Sequence, residues 1–118
     1  MDAAIAAFWP TLPGVLRRSR FADLVSRQLD LFEQDEAELL EQAAQADDAW
    51  THAAAEESEE LYGDYQLVVD DLAERLLGLR EAYIRSVDED AADEYRAAFN
   101  RAASRRLRPY TGLLANEP

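Results

Sequence analysis

Residues 62–83 read YGDYQLVVDDLAERLLGLREAY. Large apolar side chains recur in this stretch in alternating steps of three and four residues, which is the spacing of one packed face of a helix. The members of this stripe are Tyr62, Tyr65, Val69, Leu72, Leu76, Leu79 and Tyr83. No polar residue interrupts the stripe, so the stretch predicts a long helix with one buried face.

Two further stripes with the same spacing flank the first one in the sequence. The earlier stripe consists of Ala22, Val25, Leu29, Phe32, Glu36, Leu39, Ala43, Ala46, Trp50 and Ala53. The later stripe consists of Ala92, Tyr95, Phe99 and Ala102. The register slips between successive stripes, which predicts turns at 54–58 and between Tyr83 and Ala92. Ser58 is the expected N-cap of the middle helix, and Ser86 or Asp88 that of the last one.

The sequence therefore predicts an all-α fold, an antiparallel bundle of three long helices at about 18–53, 59–85 and 89–107. A short N-terminal helix is expected to precede them. A break at Asp47 and Asp48 would instead give a version with four shorter helices. We interpret residues 1–118 as a single helical-bundle domain, with an N-terminal segment at 1–17 and a C-terminal tail at 109–118.

The composition excludes several classes of function. The chain has 25 acidic and 12 basic residues, a net charge of -13 and no cysteine, so disulfides and thiol chemistry are excluded. Nucleic acid is not expected as a ligand, because phosphate binding needs clustered basic residues. No apolar stretch approaches the roughly 20 residues of a membrane span. The short apolar run before Pro10 does not resemble a secretory signal, so we expect a cytoplasmic protein.

Opposite charges are segregated along the chain. Between Gln28 and Glu74 there are 16 acidic residues and no arginine, whereas 96–108 holds five arginines and no acid. In the predicted bundle the basic stretch should meet the acids at 47–64, and the arginines at 17–27 should lie near the acids at 88–94. A carboxylate-rich mimic of nucleic acid is a less favoured interpretation, because the acids of the first helix are distributed around it.

Residues that could carry catalysis are few. The only histidine is His52, which follows Asp48 by four residues, and the residue three positions before it is Ala49. A di-iron site of the Glu-x-x-His type therefore cannot be built within one chain, and we predict no metal, cofactor or catalytic residue. Glu36 occupies a position of the first stripe, so we expect its carboxylate to reach solvent at the rim of the bundle or to pair with an arginine such as Arg75 or Arg101. A role in binding a ligand or metal is the remaining alternative.

Two functional hypotheses follow. The favoured one is a small non-enzymatic interaction or assembly protein that forms a homodimer or binds another protein. Its candidate interface, at one end of the bundle, comprises Phe8, Trp9, Phe21, Leu24, Leu77 and Ile84. The alternative is a small-ligand-binding or enzymatic bundle with an aromatic pocket. Its candidate residues are Glu36, Trp50, His52, Tyr62 and Tyr65. A closed aromatic cluster would favour the first hypothesis, and a cavity with Glu36 or His52 pointing inward would favour the second.

Overall fold

Four α-helices and one 3-10 turn make up most of the computed structural model, which describes residues 13–115, with side chains from Arg20 onward. The helices are α1 (Pro13–Asp35), α2 (Ala37–Thr51), α3 (Ala55–Ile84) and α4 (Glu89–Arg106), and the 3-10 turn spans Arg108–Tyr110. The described residues contain no strand, so the predicted all-α fold is confirmed. The short N-terminal helix predicted from the sequence lies outside the described residues.

The long first helix of the prediction is interrupted at Glu36. This residue departs from helical geometry, with φ −105° and ψ 21°. Hydrogen bonds nevertheless cross the interruption, because the Glu36 amide donates to the Phe32 carbonyl at 2.8 Å and the Leu40 amide donates to the Glu36 carbonyl at 2.9 Å. The alternative break at Asp47 and Asp48 was misplaced. Both residues are exposed within α2, where an acidic side chain stays hydrated.

The turn between α2 and α3 is shorter than predicted. It occupies 52–54, and α3 begins at Ala55 with Ala54 at the N-cap position, so the expected cap at Ser58 was wrong. Ala54 makes no side-chain cap, but its carbonyl accepts the Glu57 amide at 3.0 Å. Glu56 and Glu57 lie in the first turn of α3, where their negative charges interact favourably with the helix dipole. They stabilise the start of the helix in the absence of a capping hydroxyl. The last helix begins directly after Asp88, one of the two expected positions.

The main helix contacts are between α2 and α3 and between α1 and α4, and the relative chain direction differs between these two pairs. The chain runs antiparallel in α2 and α3, and parallel in α1 and α4, as shown by contacts of Arg20 with Glu94 and of Asp30 with Arg106. Because α4 has 18 residues and α3 has 30, α4 ends partway along α3. On the side of this point that holds the C-terminal half of α3, the helices α1, α3 and α4 form a three-helix unit, which we call the body. Beyond the end of α4, residues 37–70 of α2 and α3 project from the body as a pair of helices, which we call the arm. The described part of the chain measures 70 × 27 × 25 Å.

The core lies almost entirely in the body. Its buried members there are Phe21, Val25, Leu29, Phe32, Leu72, Leu76, Tyr95, Ala98, Phe99, Ala103, Leu107 and Leu114. The arm contributes only Ala43 and Val69 to the buried apolar residues. Burial of a large apolar side chain is worth about 1.5–3 kcal/mol, so the body holds most of the hydrophobic stabilisation. The arm is therefore a thinly packed extension of a well-packed unit.

Candidate interaction surfaces

An aromatic cluster lies near the tip of the arm, where α2 and α3 meet. Trp50 packs on Tyr62 with ring centroids 4.8 Å apart and stacks on Tyr65 at 6.0 Å, and the two tyrosine rings are 6.3 Å apart. Tyr62 is 44% exposed. Burial, followed by the nearby charge of Asp47, raises the pKa of Tyr65. The three predicted aromatic residues thus come together, with their rings in mutual contact.

The other two residues of the predicted pocket lie apart from this cluster. Glu36 precedes Trp50 by 14 residues, about 21 Å along a helix. Its carboxylate accepts a hydrogen bond from Arg75 at 2.9 Å, which is one of the two pairings expected from the sequence. His52 is at the surface, with 74% of its side chain exposed and its Nδ1 3.2 Å from a carboxylate oxygen of Asp48. Neither side chain points into an aromatic cavity.

Cavities in the described part of the chain lie away from the aromatic rings. One of them adjoins the Glu36–Arg75 pair, with Leu31, Phe32 and Leu79 in its wall. Another lies between α2 and α3 on a different side of the arm, next to Ala46, Leu61 and Val68. Trp50, Tyr62 and Tyr65 line neither of these two cavities.

The arm carries an unbroken negative charge. Residues 37–70 include ten acidic side chains and no arginine. Three of these acids, Glu56, Glu60 and Asp64, recur at four-residue intervals on α3 and are exposed. Residues four apart lie on one face of a helix, so these carboxylates form a row, which we call the acidic row. No described cation lies within ion-pair distance of the acidic row.

The predicted apolar interface belongs mostly to the margin of the core. Phe21 is only 6% exposed and packs edge-to-face on Tyr95 at 5.7 Å, because α4 lies alongside α1 at this point. Leu24, Leu77 and Ile84 are partly buried against the same core. Phe8 and Trp9 lie outside the described residues. The described members of this set therefore do not form an open apolar patch.

A groove with a basic rim runs between α1 and α4. Its volume is about 290 Å³. The floor consists of Ala22, Val25, Ser26, Ala98 and Ala102, and the rim consists of Arg101, Arg105 and Arg106. We call it the arginine groove. Neither Arg101 nor Arg105 has an acidic partner within the described range, and both are exposed.

The third rim residue, Arg106, is neutralised within the chain. It pairs with Asp30 at 2.7 Å and with Glu33 at 3.1 Å, and these hydrogen bonds raise its pKa. No arginine of the basic stretch pairs with the acids at 47–64, so this predicted contact was wrong. The chain approaches these acids only after α4, where burial, the charge of Tyr65 and the charge of Asp47 raise the pKa of Tyr110. At the opposite end of α4, the pairing of Arg20 with Glu94 at 3.5 Å confirms the other predicted charge contact.

Arg80 is a functional candidate that the sequence analysis missed. Its side chain has no solvent exposure. The guanidinium donates to Glu81 at 3.0 Å, to Asn100 at 2.9 Å and to the carbonyl of Leu114 at 3.3 Å, while Nη2 has no partner among residues 13–115. Arg80 follows Leu76 by four residues, so helical spacing alone could have placed it at the edge of the buried stripe.

Neither a metal site nor a membrane span is evident in the part that the structure describes. No three histidine, aspartate or glutamate side chains are grouped there to hold a metal ion. None of the described helices is both long and apolar enough to cross a bilayer. Comparison of the chain with family models, with curated proteins and with solved structures finds no match. The fold and its two charged surfaces are therefore the basis for any functional argument.

Proposed function

We propose that this chain is a non-enzymatic interaction protein whose arm binds a cationic segment of a partner protein. The observation that carries this proposal is the composition of the arm. The arm holds ten carboxylates and no arginine, and near its tip three aromatic rings pack on one another and remain partly exposed. Arginine and lysine side chains satisfy both parts of such a surface, because they pair with carboxylates and also stack on aromatic faces.

The aromatic cluster provides the part of the surface suited to a specific contact. Tryptophan and tyrosine are enriched among the residues that dominate protein–protein binding energies. A cation over an exposed aromatic ring contributes about 0.5–1 kcal/mol. The surrounding carboxylates attract a cationic partner over longer distances and favour it over neutral or acidic ones. The arm thus combines an aromatic contact site with carboxylates that favour cationic partners.

The alternative of a small-ligand or enzymatic site gains less support. The rings of Trp50, Tyr62 and Tyr65 contact one another, with centroids 4.8–6.3 Å apart, and line neither of the two cavities described above beside the Glu36–Arg75 pair and between α2 and α3. Glu36 is held by Arg75, and His52 is at the surface beside Asp48. Small-molecule sites are concave and bury most of the ligand, which this surface does not do.

A peptide-binding titration tests the proposal. The probe is a short peptide of alternating arginine and alanine, and the reference is a glutamate–alanine peptide of equal length, both followed by calorimetry. We expect binding of the arginine peptide only. Tyr62→Ala should weaken it about two- to fivefold, which corresponds to the loss of one cation–aromatic contact. The matched control is Leu67→Ala, because Leu67 is 71% exposed on the same helix but lies outside the aromatic cluster.

Nonspecific attraction to a chain of net charge -13 is separated from the proposed site by a second pair of variants. Glu56→Gln with Glu60→Gln removes two charges from the arm. Asp23→Asn with Glu74→Gln removes two exposed charges outside it. Weaker peptide binding in the first variant alone supports the arm as the site. Equal weakening in both variants, or equal binding by the Tyr62 and Leu67 variants, contradicts the proposal.

A further inference from the structure

The arginine groove and the acidic row have matching spacing, and Arg101, Arg105 and the three carboxylates have no ion-pair partner among the described residues. On α4, Arg101 and Arg105 lie four residues apart on the rim of the arginine groove. On α3, the acidic row repeats with the same interval of four residues. Successive members of each set are therefore one helical turn apart, so the two sets are in register when two helices lie side by side.

These two surfaces cannot meet within one chain. Arg101 follows Asn100, and Asn100 is hydrogen-bonded to Arg80 at 2.9 Å, which fixes the level of the groove along α3. The nearest members of the two sets are Arg105 and Asp64. Asp64 lies sixteen residues from Arg80 on α3, about 24 Å, and Arg105 is only about 7.5 Å nearer to it than Asn100 is, which leaves about 16 Å along the helices. An arginine side chain cannot span this distance. Among residues 20–115, whose side chains the structure describes, neither surface therefore reaches the other.

We propose that the occupant of the arginine groove is the acidic row of a second copy of this chain. This inference rests on the proposed function of the arm and names one of its partners. The charges are complementary, with two unpaired arginines on the rim and three unpaired carboxylates in the row. The floor of the groove consists of alanine, serine and valine side chains, which are small enough to let a second helix approach closely.

Two copies make this contact reciprocally. In the proposed dimer two antiparallel copies each place their acidic row against the groove of the other. Such an arrangement has two-fold symmetry and closes as a dimer, without extending into a filament. Each dimer then contains two identical contacts, and loss of either surface on both chains removes both of them.

A charge-exchange experiment tests the inference by sedimentation equilibrium. The parent chain is expected to form dimers at high micromolar concentration. The groove variant Arg101→Glu with Arg105→Glu, and the row variant Glu56→Arg with Glu60→Arg, should each dissociate at least about tenfold more readily, because like charges then face each other. Mixed in equal amounts, the two variants should form a heterodimer, since each then offers the charge that the other lacks.

Circular dichroism of each variant checks that the fold is retained, and Arg101→Gln with Arg105→Gln replaces the groove variant if charge reversal unfolds it. A monomeric parent overturns the inference. So does a dimer that either variant leaves intact, or a mixture that stays monomeric. If the parent chain is monomeric but binds the arginine peptide, the proposed function is supported and the dimer is not. If the parent chain forms the dimer but binds no peptide, the contact between copies is supported and the general preference of the arm for cationic partners is not.

Discussion

Arg80 and Leu114 are joined by a hydrogen bond that ties the C-terminal tail to the last turns of α3. The Arg80 guanidinium, which has no solvent exposure, donates from Nη1 to the Leu114 carbonyl at 3.3 Å. The Leu114 side chain is itself only 3% exposed and belongs to the core. The residues after α4 are thus part of the body, because a buried polar group and a buried apolar group hold them together.

Replacement of Arg80 by methionine tests this anchor. The variant keeps much of the side-chain length but leaves the oxygens of Asn100 and Leu114 without their donor. We expect a loss of about 1–3 kcal/mol in the free energy of unfolding and faster amide hydrogen exchange near Leu114. The matched control is Arg85→Met, an exposed position one residue after α3, where the change should stay within about 0.5 kcal/mol. Equal stability of the two variants would contradict this prediction.

Replacement of Glu36 by leucine should preserve or increase stability. Glu36 occupies an apolar position of the stripe, and its side chain is 20% exposed. Arg75 retains a second carboxylate, Asp71, at 2.8 Å, so the substitution does not leave it unpaired. Exchange of a partly buried ion pair for a packed apolar side chain is often neutral or favourable. Urea denaturation of this variant, compared with Glu38→Leu at an exposed site, should give a higher midpoint for the Glu36 variant.

Proline should be tolerated at Ala55 and not at Gln66. Ala54 has φ −68° and ψ 156°, the extended conformation that a following proline favours, and Ala55 is the first residue of α3. Ala55→Pro should therefore change the free energy of unfolding by less than about 1 kcal/mol. Gln66→Pro lies inside α3 and should cost about 3 kcal/mol or more. Thermal denaturation compares the two, and similar losses would contradict the assigned start of α3.

Tyr95 should make the protein sensitive to alkaline pH. Its ring is fully buried, and this burial raises the pKa of the phenol above its ordinary value of 10.0, although the hydroxyl donates a 2.7 Å hydrogen bond to Gln28. The folded state therefore holds this proton more tightly than the unfolded chain. The resulting stability is fully present below pH 10.0 and is lost as the pH rises toward the folded-state pKa.

The measurement is the free energy of unfolding as a function of pH on the alkaline side. Tyr95→Phe removes the ionisable group, so its stability should decline less steeply than that of the parent above pH 10.0. Absorbance of phenolate in the parent should also show one tyrosine that ionises only on unfolding. Identical slopes for parent and variant would show that Tyr95 does not carry the effect.

Apolar periodicity was sufficient to predict the all-α fold and much of the core, but not the interruption at Glu36. Val25, Leu29, Leu72 and Leu76 are buried as their stripes indicated. These features depend on residues three or four apart, which share a face of any helix. The periodicity of a single helix carries this information directly.

The position of each helix along the axis of the bundle, relative to its neighbours, could not be predicted in the same way. Nothing in the spacing states that α4 ends beside Asp30, far below the acids at 47–64. Arg80 was missed for a related reason. An arginine beside an apolar stripe is usually assigned to the surface, because its long stem can carry the charge to water. In the folded chain Asn100 and Leu114 accept hydrogen bonds from the Arg80 guanidinium, which is thereby kept away from water.

The division into a body and a projecting arm also determines how the molecule moves through water. The radius of gyration is 18.8 Å, whereas a compact domain of this length would have about 13–14 Å. Hydrodynamic drag rises with such elongation, so a single chain diffuses and tumbles like a heavier spherical particle. Rotation about the 70 Å axis is faster than rotation end over end, and amides whose N–H bonds lie along the helices will relax differently from those of the turns.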